Sequence, residues 1–180
     1  METEKQLVCD IRHGDRKAMR RLYDRYSGFA MAIALRYVPD RDDACDILQD
    51  AFVKVFQSVD SFDCRGEGSL KSWVARIVAN EALMFLRHRS GLVFTDDIPD
   101  VAGDEEPDIS QIDDDKLAAL VASLPEGYRV VVNLYIFGGL SHKEIASELG
   151  ISPSTSASQF FHAKKMLARM INDYRKKEIV

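Results

Sequence analysis

Apolar residues recur at steps of three and four along most of residues 3–89, and no stretch alternates apolar and polar positions as a strand does. Breaks fall at Gly14, at Pro39 and across residues 60–68, so the pattern predicts four helices before residue 90. Asp15 caps a long second helix in which Met19, Leu22, Tyr23, Tyr26, Ala30, Ile33 and Ala34 form one core stripe. Asp40 opens the third, with Ala44, Ile47, Leu48, Ala51, Phe52, Val55 and Phe56 on the buried face and Asp43, Asp46, Gln49 and Asp50 on the opposite edge. The fourth starts after Ser69 and runs to Arg89.

A second helical pattern closes the chain, and residues 125–167 predict a helix-turn-helix. Ser141 with Glu144 three residues later is a capping box, and Gly150 supplies a left-handed stop. Ser152 caps the next helix and Pro153 fits its first turn. Ile145, Ala146, Leu149 and Ile151 would wedge the two helices together. Ser154, Thr155, Ser156, Ser158, Gln159, His162, Lys164 and Lys165 are polar and suit base edges and phosphates. A plain helical hairpin with a solvated face is the alternative.

Net charge of -5 sits poorly with a DNA partner until it is located along the chain. Residues 91–115 hold ten acidic residues and no Lys or Arg, so the remainder sets 24 basic residues against 19 acidic ones, a balance of +5. With Pro99, Gly103 and Pro107 and few large apolar groups, that acidic stretch reads as a linker of roughly 25–30 Å when relaxed and about 85 Å when stretched. The predicted organisation is a helical domain over 1–90, an acidic linker over 91–112 and a helix-turn-helix domain over 113–180, an all-α, two-domain fold.

The fourth helix mixes chemistries. Lys71, Arg76, Arg87 and Arg89 supply charge for phosphates, Asn80 can pair with a base edge or sit on a plain polar surface, and Trp73 can stack on an unpaired base or pack in the core. The loop before it, Phe62, Asp63, Cys64, Arg65, Gly66, Glu67 and Gly68, suits a pocket for an extruded base. Asp46 and Asp50 stand one turn apart, a like-charge pair that either solvent or a basic partner must tolerate.

Enzyme readings fail on residue type. His13, His88, His142 and His162 make no His-Asp dyad, His142-Lys143-Glu144 is not a zinc helix, and no glycine-rich phosphate loop occurs. The carboxylates of 43–50 lack a second acidic helix to complete a di-metal site. Cys9, Cys45 and Cys64 are widely spaced without a Cys-x-x-Cys, as expected of small buried hydrophobes. No metal or cofactor is expected. The first residues lack the order of a secretory signal and no apolar run approaches the roughly 20 residues of a membrane span, which predicts a cytoplasmic protein.

The chain resembles the extracytoplasmic-function group of bacterial sigma factors in the sigma-70 family, over about residues 5–90 and 113–175. The resemblance rests on Asp-Ala-Cys-Asp-Ile-Leu-Gln-Asp-Ala-Phe at 43–52, Ser-Leu-Lys-Ser-Trp-Val-Ala-Arg-Ile-Val-Ala-Asn at 69–80 and Leu-Pro-Glu-Gly-Tyr-Arg at 124–129 leading into Gly-Leu-Ser-His-Lys-Glu-Ile-Ala. It implies that residues 15–89 are the domain called region two, which holds core RNA polymerase and melts the minus-ten element, and that the second domain is region four. Asp46, Gln49 and Asp50, with Asp43 beside them, match positions facing the coiled coil of the largest polymerase subunit. Lys54, Trp73, Arg76, Asn80 and Arg87, together with Lys71, match positions on the melted strand. Residues 62–68, with Phe62 and Arg65, match the pocket for a flipped base. The helix from Pro153 would enter the major groove at the minus-thirty-five element, with base contacts from Ser156, Gln159 and His162 and phosphate contacts from Lys164 and Lys165. Implied partners are core RNA polymerase and promoter DNA, with an anti-sigma factor as a further candidate and no insertion into a membrane.

Two positions depart from the family pattern. Met84 stands where an Asp or another polar residue is common, and the recognition helix carries fewer Arg residues, with no role assigned to one of Phe160 and Phe161. The competing class is a stand-alone helix-turn-helix regulator or a sigma-like decoy for an anti-sigma factor.

Overall fold

A computed structural model of the chain describes residues 2–90, 94 and 113–178; the predicted linker, apart from Phe94, lies outside the described residues. Every described element is helical and the chain divides into two compact units, residues 1–89 and 90–180.

The first unit contains α1 (Glu4–Arg12), α2 (Arg16–Tyr37), α3 (Arg41–Ser58), a single 3₁₀ turn (Val59–Ser61) and α4 (Ser69–Ser90). The starts of α1, α2 and α3 each follow from a short polar side chain that satisfies free amides of the first turn. Thr3 accepts from the Gln6 amide, Asp15 from Lys17, and Asp40 from Asp42 and Asp43. Leu7, Val8 and Ile11 of α1, Leu22, Ala30 and Ile33 of α2, Ile47, Ala51 and Val55 of α3, and Leu70, Val74 and Val78 of α4 are buried. Met19 and Tyr23, expected in the core stripe of α2, lie at its edge, and Tyr23 packs against Phe52 with ring centroids 4.7 Å apart.

The second unit contains α5 (Asp114–Ala122), α6 (Glu126–Val132), a π-helical turn (Asn133–Phe137), α7 (His142–Leu149) and α8 (Pro153–Glu178). Val121, Leu124, Tyr128, Val132 and Ala163 form its core, with Phe160, Met166, Leu167 and Met170 packed against them. Arg129 is buried and donates to the carbonyls of Ala122 (3.1 Å) and Leu124 (2.8 Å), tying the end of α5 to α6. Its burial pulls the guanidinium pKa below its ordinary value. The π turn ends on Gly138, where a β-carbon would lie 2.5 Å from the Leu134 carbonyl oxygen, so only glycine fits without backbone movement.

Candidate nucleic-acid interface

On α3, Asp46, Gln49 and Asp50 are exposed along one edge, and the exposed Val53 continues it by one turn. Asp43 differs: it is half-buried and ion-paired with Arg89 of α4, so its charge is spent within the unit. The like-charged Asp46 and Asp50 have no ion pair among the described residues, which leaves an acidic surface fit for a basic partner.

The helix α4 brings a second set of residues together. Trp73, Arg76, Asn80, Met84 and Arg87 follow steps of three and four and therefore share one stripe. Where this stripe faces α3, the side chains of Lys54, Gln57, Ile77, Asn80 and Met84 line a cleft of about 330 Å³. The Lys54 ammonium is fixed there by Glu81, Nζ to Oε1 2.5 Å, and lies 3.6 Å from the Met84 thioether. Met84 is thus an apolar wall of the cleft, at the position where the sequence departs from the family pattern.

The loop between α3 and α4 is held from a distance. Arg12 donates to the carbonyls of Val59 (3.0 Å), Asp60 (3.3 Å) and Phe62, capping the end of the 3₁₀ turn. The buried Glu4 carboxylate accepts from the Tyr26 hydroxyl (2.9 Å) and from the Leu70 amide at the start of α4 (3.0 Å), where a helix N-terminus favours negative charge. Burial, reinforced by Glu4, pushes the Tyr26 phenol up to about 12. Sequence reasoning missed Glu4 and Arg12. Glu4 did leave a signal, since it occupies the buried stripe of α1 with Leu7, Val8 and Ile11 at steps of three, four and seven, an acid where a core residue belongs.

Phe62 needs correction as an exposed contact. It is buried and packs its ring 4.8 Å from that of Trp73, so it backs the tryptophan instead of lining the loop surface. Trp73 itself is half-buried, with both packing and an open edge. Arg65 is exposed and paired with Asp63 (3.0 Å), and Lys71 lies 4.5 Å over the Phe29 ring.

In the second unit the turn follows its local chemistry. The Glu144 amide reaches the Ser141 hydroxyl (3.4 Å) while the Glu144 carboxylate accepts from the Ser141 hydroxyl (2.7 Å) and amide (2.8 Å), and these last two bonds hold the Glu144 carboxyl below its ordinary pKa. Gly150 is left-handed at φ 68°, and the Ser152 hydroxyl accepts from the Thr155 amide (3.0 Å).

The rotation of α8 corrects two expected base contacts. Ser156 and Gln159 are buried, 0% and 1% exposed, because they share the inward face with Ala163. Ser156 Oγ lies 3.0 Å from His142 Nδ1, and His142 in turn stacks on Tyr135. Both polar side chains face away from solvent, and Ser156 joins α8 to α7. Ser154 and Lys164 are exposed, and Thr155, Ser158, His162 and Lys165 are half-exposed. Phe160 packs against Tyr135 (4.3 Å), whereas Phe161 is 49% exposed.

Among the described residues, no helix is long and apolar enough to cross a membrane. Residues 22–91 match the family model for Sigma-70 region 2, and residues 114–167 match that for Sigma-70, region 4. The chain is 29% identical to the ECF RNA polymerase sigma-E factor of Haemophilus influenzae, over 94% of this chain and 95% of that one. It is 28% identical to the RNA polymerase sigma-H factor of Pseudomonas aeruginosa, over 94% of each, and 29% identical to the ECF RNA polymerase sigma-E factor of Escherichia coli K12, over 92% of each. Among solved structures, CnrH in complex with the cytosolic domain of CnrY aligns with a TM-score of 0.51 at 24% identity, covering 96% of this chain and 99% of that one. The sigma factor RpoE in complex with the anti-sigma factor NepR from Bartonella quintana aligns at 0.51 and 22%, covering 87% and 98%; both show a shared fold.

Proposed function

The chain belongs to the extracytoplasmic-function group of the sigma-70 family, a sigma factor that binds core RNA polymerase and directs initiation at promoters, and we propose how its residues divide that work. Residues 1–90 act as the polymerase-holding and melting domain, residues 91–112 as the acidic linker and residues 113–180 as the domain for the upstream element. Asp46, Gln49 and Asp50 meet a basic polymerase surface, which relieves the repulsion between the two aspartates. The single observation that carries the rest is the stripe of Trp73, Arg76, Asn80, Met84 and Arg87: an aromatic edge, cations and an amide in one row suit a strand whose bases have left the duplex.

Lys71 adds charge beside that row, Lys54 and Arg65 join it by exchanging Glu81 and Asp63 for phosphate, and Ser154, Thr155, Ser158, His162, Lys164 and Lys165 face duplex DNA. The protein catalyses nothing itself, because the phosphoryl chemistry belongs to the polymerase, and it works in the cytoplasm where polymerase and chromosome are. An anti-sigma factor is a further partner, as in the complex of RpoE with NepR.

The test is transcription in vitro with purified core polymerase and genomic promoter fragments, comparing the wild type with Asp46→Arg and Asn80→Ala. Initiation that depends on the protein is expected on some fragments and is reduced by both substitutions. Absence of initiation on every fragment overturns the reading.

A further inference from the structure

The outer face of α8 contains a group that DNA-binding polarity alone does not explain. Ser154, Ala157, Phe161 and Lys164 fall at steps of three and four, so they share one side of the helix, with Ser158 and Lys165 beside them. Ser154, Ala157 and Lys164 are exposed, and Phe161 is 49% exposed between the serines and the lysines. Its neighbour Phe160 shows that the fold could have covered it, since that ring is packed against Tyr135. The Lys165 ammonium lies 4.9 Å over the Phe161 ring. An aromatic surface left open among cations fits a partner that is anionic yet presents apolar groups at fixed places.

Duplex DNA meets both conditions. In the major groove the 5-methyl of thymine is the apolar group displayed beside hydrogen-bonding base edges, and cytosine lacks it. Phe161 lies about 12 Å along the axis from Pro153, two turns into the helix, within reach of the groove floor if the serines at the helix start approach base edges. We infer that Phe161, with Ala157 one turn before it, is a specificity-determining contact that reads thymine methyl groups in the upstream promoter element. This inference rests on the reading of the second unit as the domain that enters the major groove. A protein surface is the less suited occupant, because Lys164 and Lys165 flank the ring with positive charge.

The experiment uses holoenzyme assembled from the full chain and core polymerase, on a promoter fragment from which it initiates. Each thymine of the upstream element is replaced in turn by deoxyuridine, which removes only the methyl. At one or two positions the replacement should weaken wild-type binding by roughly threefold to tenfold. Phe161→Ala should bind the thymine duplex more weakly by a similar factor and no longer distinguish thymine from deoxyuridine there, while Phe161→Leu keeps part of the distinction. Wild-type holoenzyme indifferent to every replacement, or Phe161→Ala retaining full discrimination, overturns the assignment. Uniform loss of transcription by Phe161→Ala with discrimination intact also overturns it and identifies a protein contact. Failure of wild type to initiate on any fragment removes the sigma reading itself, which separates the two.

Discussion

Lys54 on α3 and Glu81 on α4 form an ion pair of unequal burial: the carboxylate side chain is 10% exposed, the ammonium 46%. Removing the cation strands an enclosed carboxylate, whereas removing the anion releases a lysine that can still reach water. Lys54→Met should therefore destabilise the first unit by about 1–3 kcal/mol, reduced from the cost of a fully buried pair because the lysine is half-exposed. The double variant Lys54→Met/Glu81→Met should recover most of that loss. Urea unfolding of the three proteins checks it, and a single variant as stable as wild type contradicts the asymmetry.

Asp46→Arg should lower affinity for core polymerase at least tenfold, as expected of reversing a charge at a complementary surface, and leave the unfolding midpoint within about 0.5 kcal/mol of wild type. Asp43→Asn should behave the other way, with a small stability loss through Arg89 and little change in polymerase affinity. Titration of core polymerase with each labelled protein, alongside thermal melts, distinguishes the two carboxylates.

On α8, burial separates stability from readout. Ser156→Ala leaves the His142 imidazole without its hydroxyl and should cost about 1 kcal/mol without altering sequence preference. Lys164→Ala should weaken binding to all duplexes alike and lower the salt-dependence slope by about one. Binding to a panel of duplexes at several salt concentrations tests both; a change of base preference in Ser156→Ala would place that hydroxyl at the DNA.

Two buried phenols should make the first unit sensitive to alkali. Burial drives Tyr26 and Tyr37 each up to about 12, against 10.0 for a free phenol. Because the folded values are raised, the stabilisation is complete below pH 10 and is lost as pH climbs from there to about 12, on the order of 2 kcal/mol for Tyr37 and less for Tyr26, which solvent screens more. Tyr37→Phe should flatten this limb, measured as the urea midpoint against pH. An alkaline limb as steep as that of wild type would exclude Tyr37 as a cause.

Much of this architecture was legible in short-range chemistry. Asp15, Asp40, Ser141 with Glu144, Gly150 and Pro153 each act within a turn of their own position, and each helix begins or ends where they stand. The acidic edge of α3 was legible for the same reason, since periodicity sorts it onto one face, whereas the residues of the α4 stripe were singled out by their chemistry and by the family resemblance. Ser156 and Gln159 were not, because a polar side chain in a helical pattern reads as outward unless its buried partner is known, and His142 lies 14 residues away. Phe62 was misjudged similarly: its ring is covered by Trp73 across a loop whose path no local pattern specifies. The π turn at 133–137 inserts an extra residue into a helix that periodicity treats as regular.

The clasp from α1 has a consequence for how the protein can be divided. Glu4 and Arg12 both precede residue 22, where the match to region two begins, yet they hold the start of α4 and the end of the 3₁₀ turn, Arg12 reaching a carbonyl 50 residues ahead. A chain trimmed of its first dozen residues would lose Leu7, Val8 and Ile11 from the core together with both clasping side chains, so the folded domain reaches well ahead of the stretch that the region-two match marks.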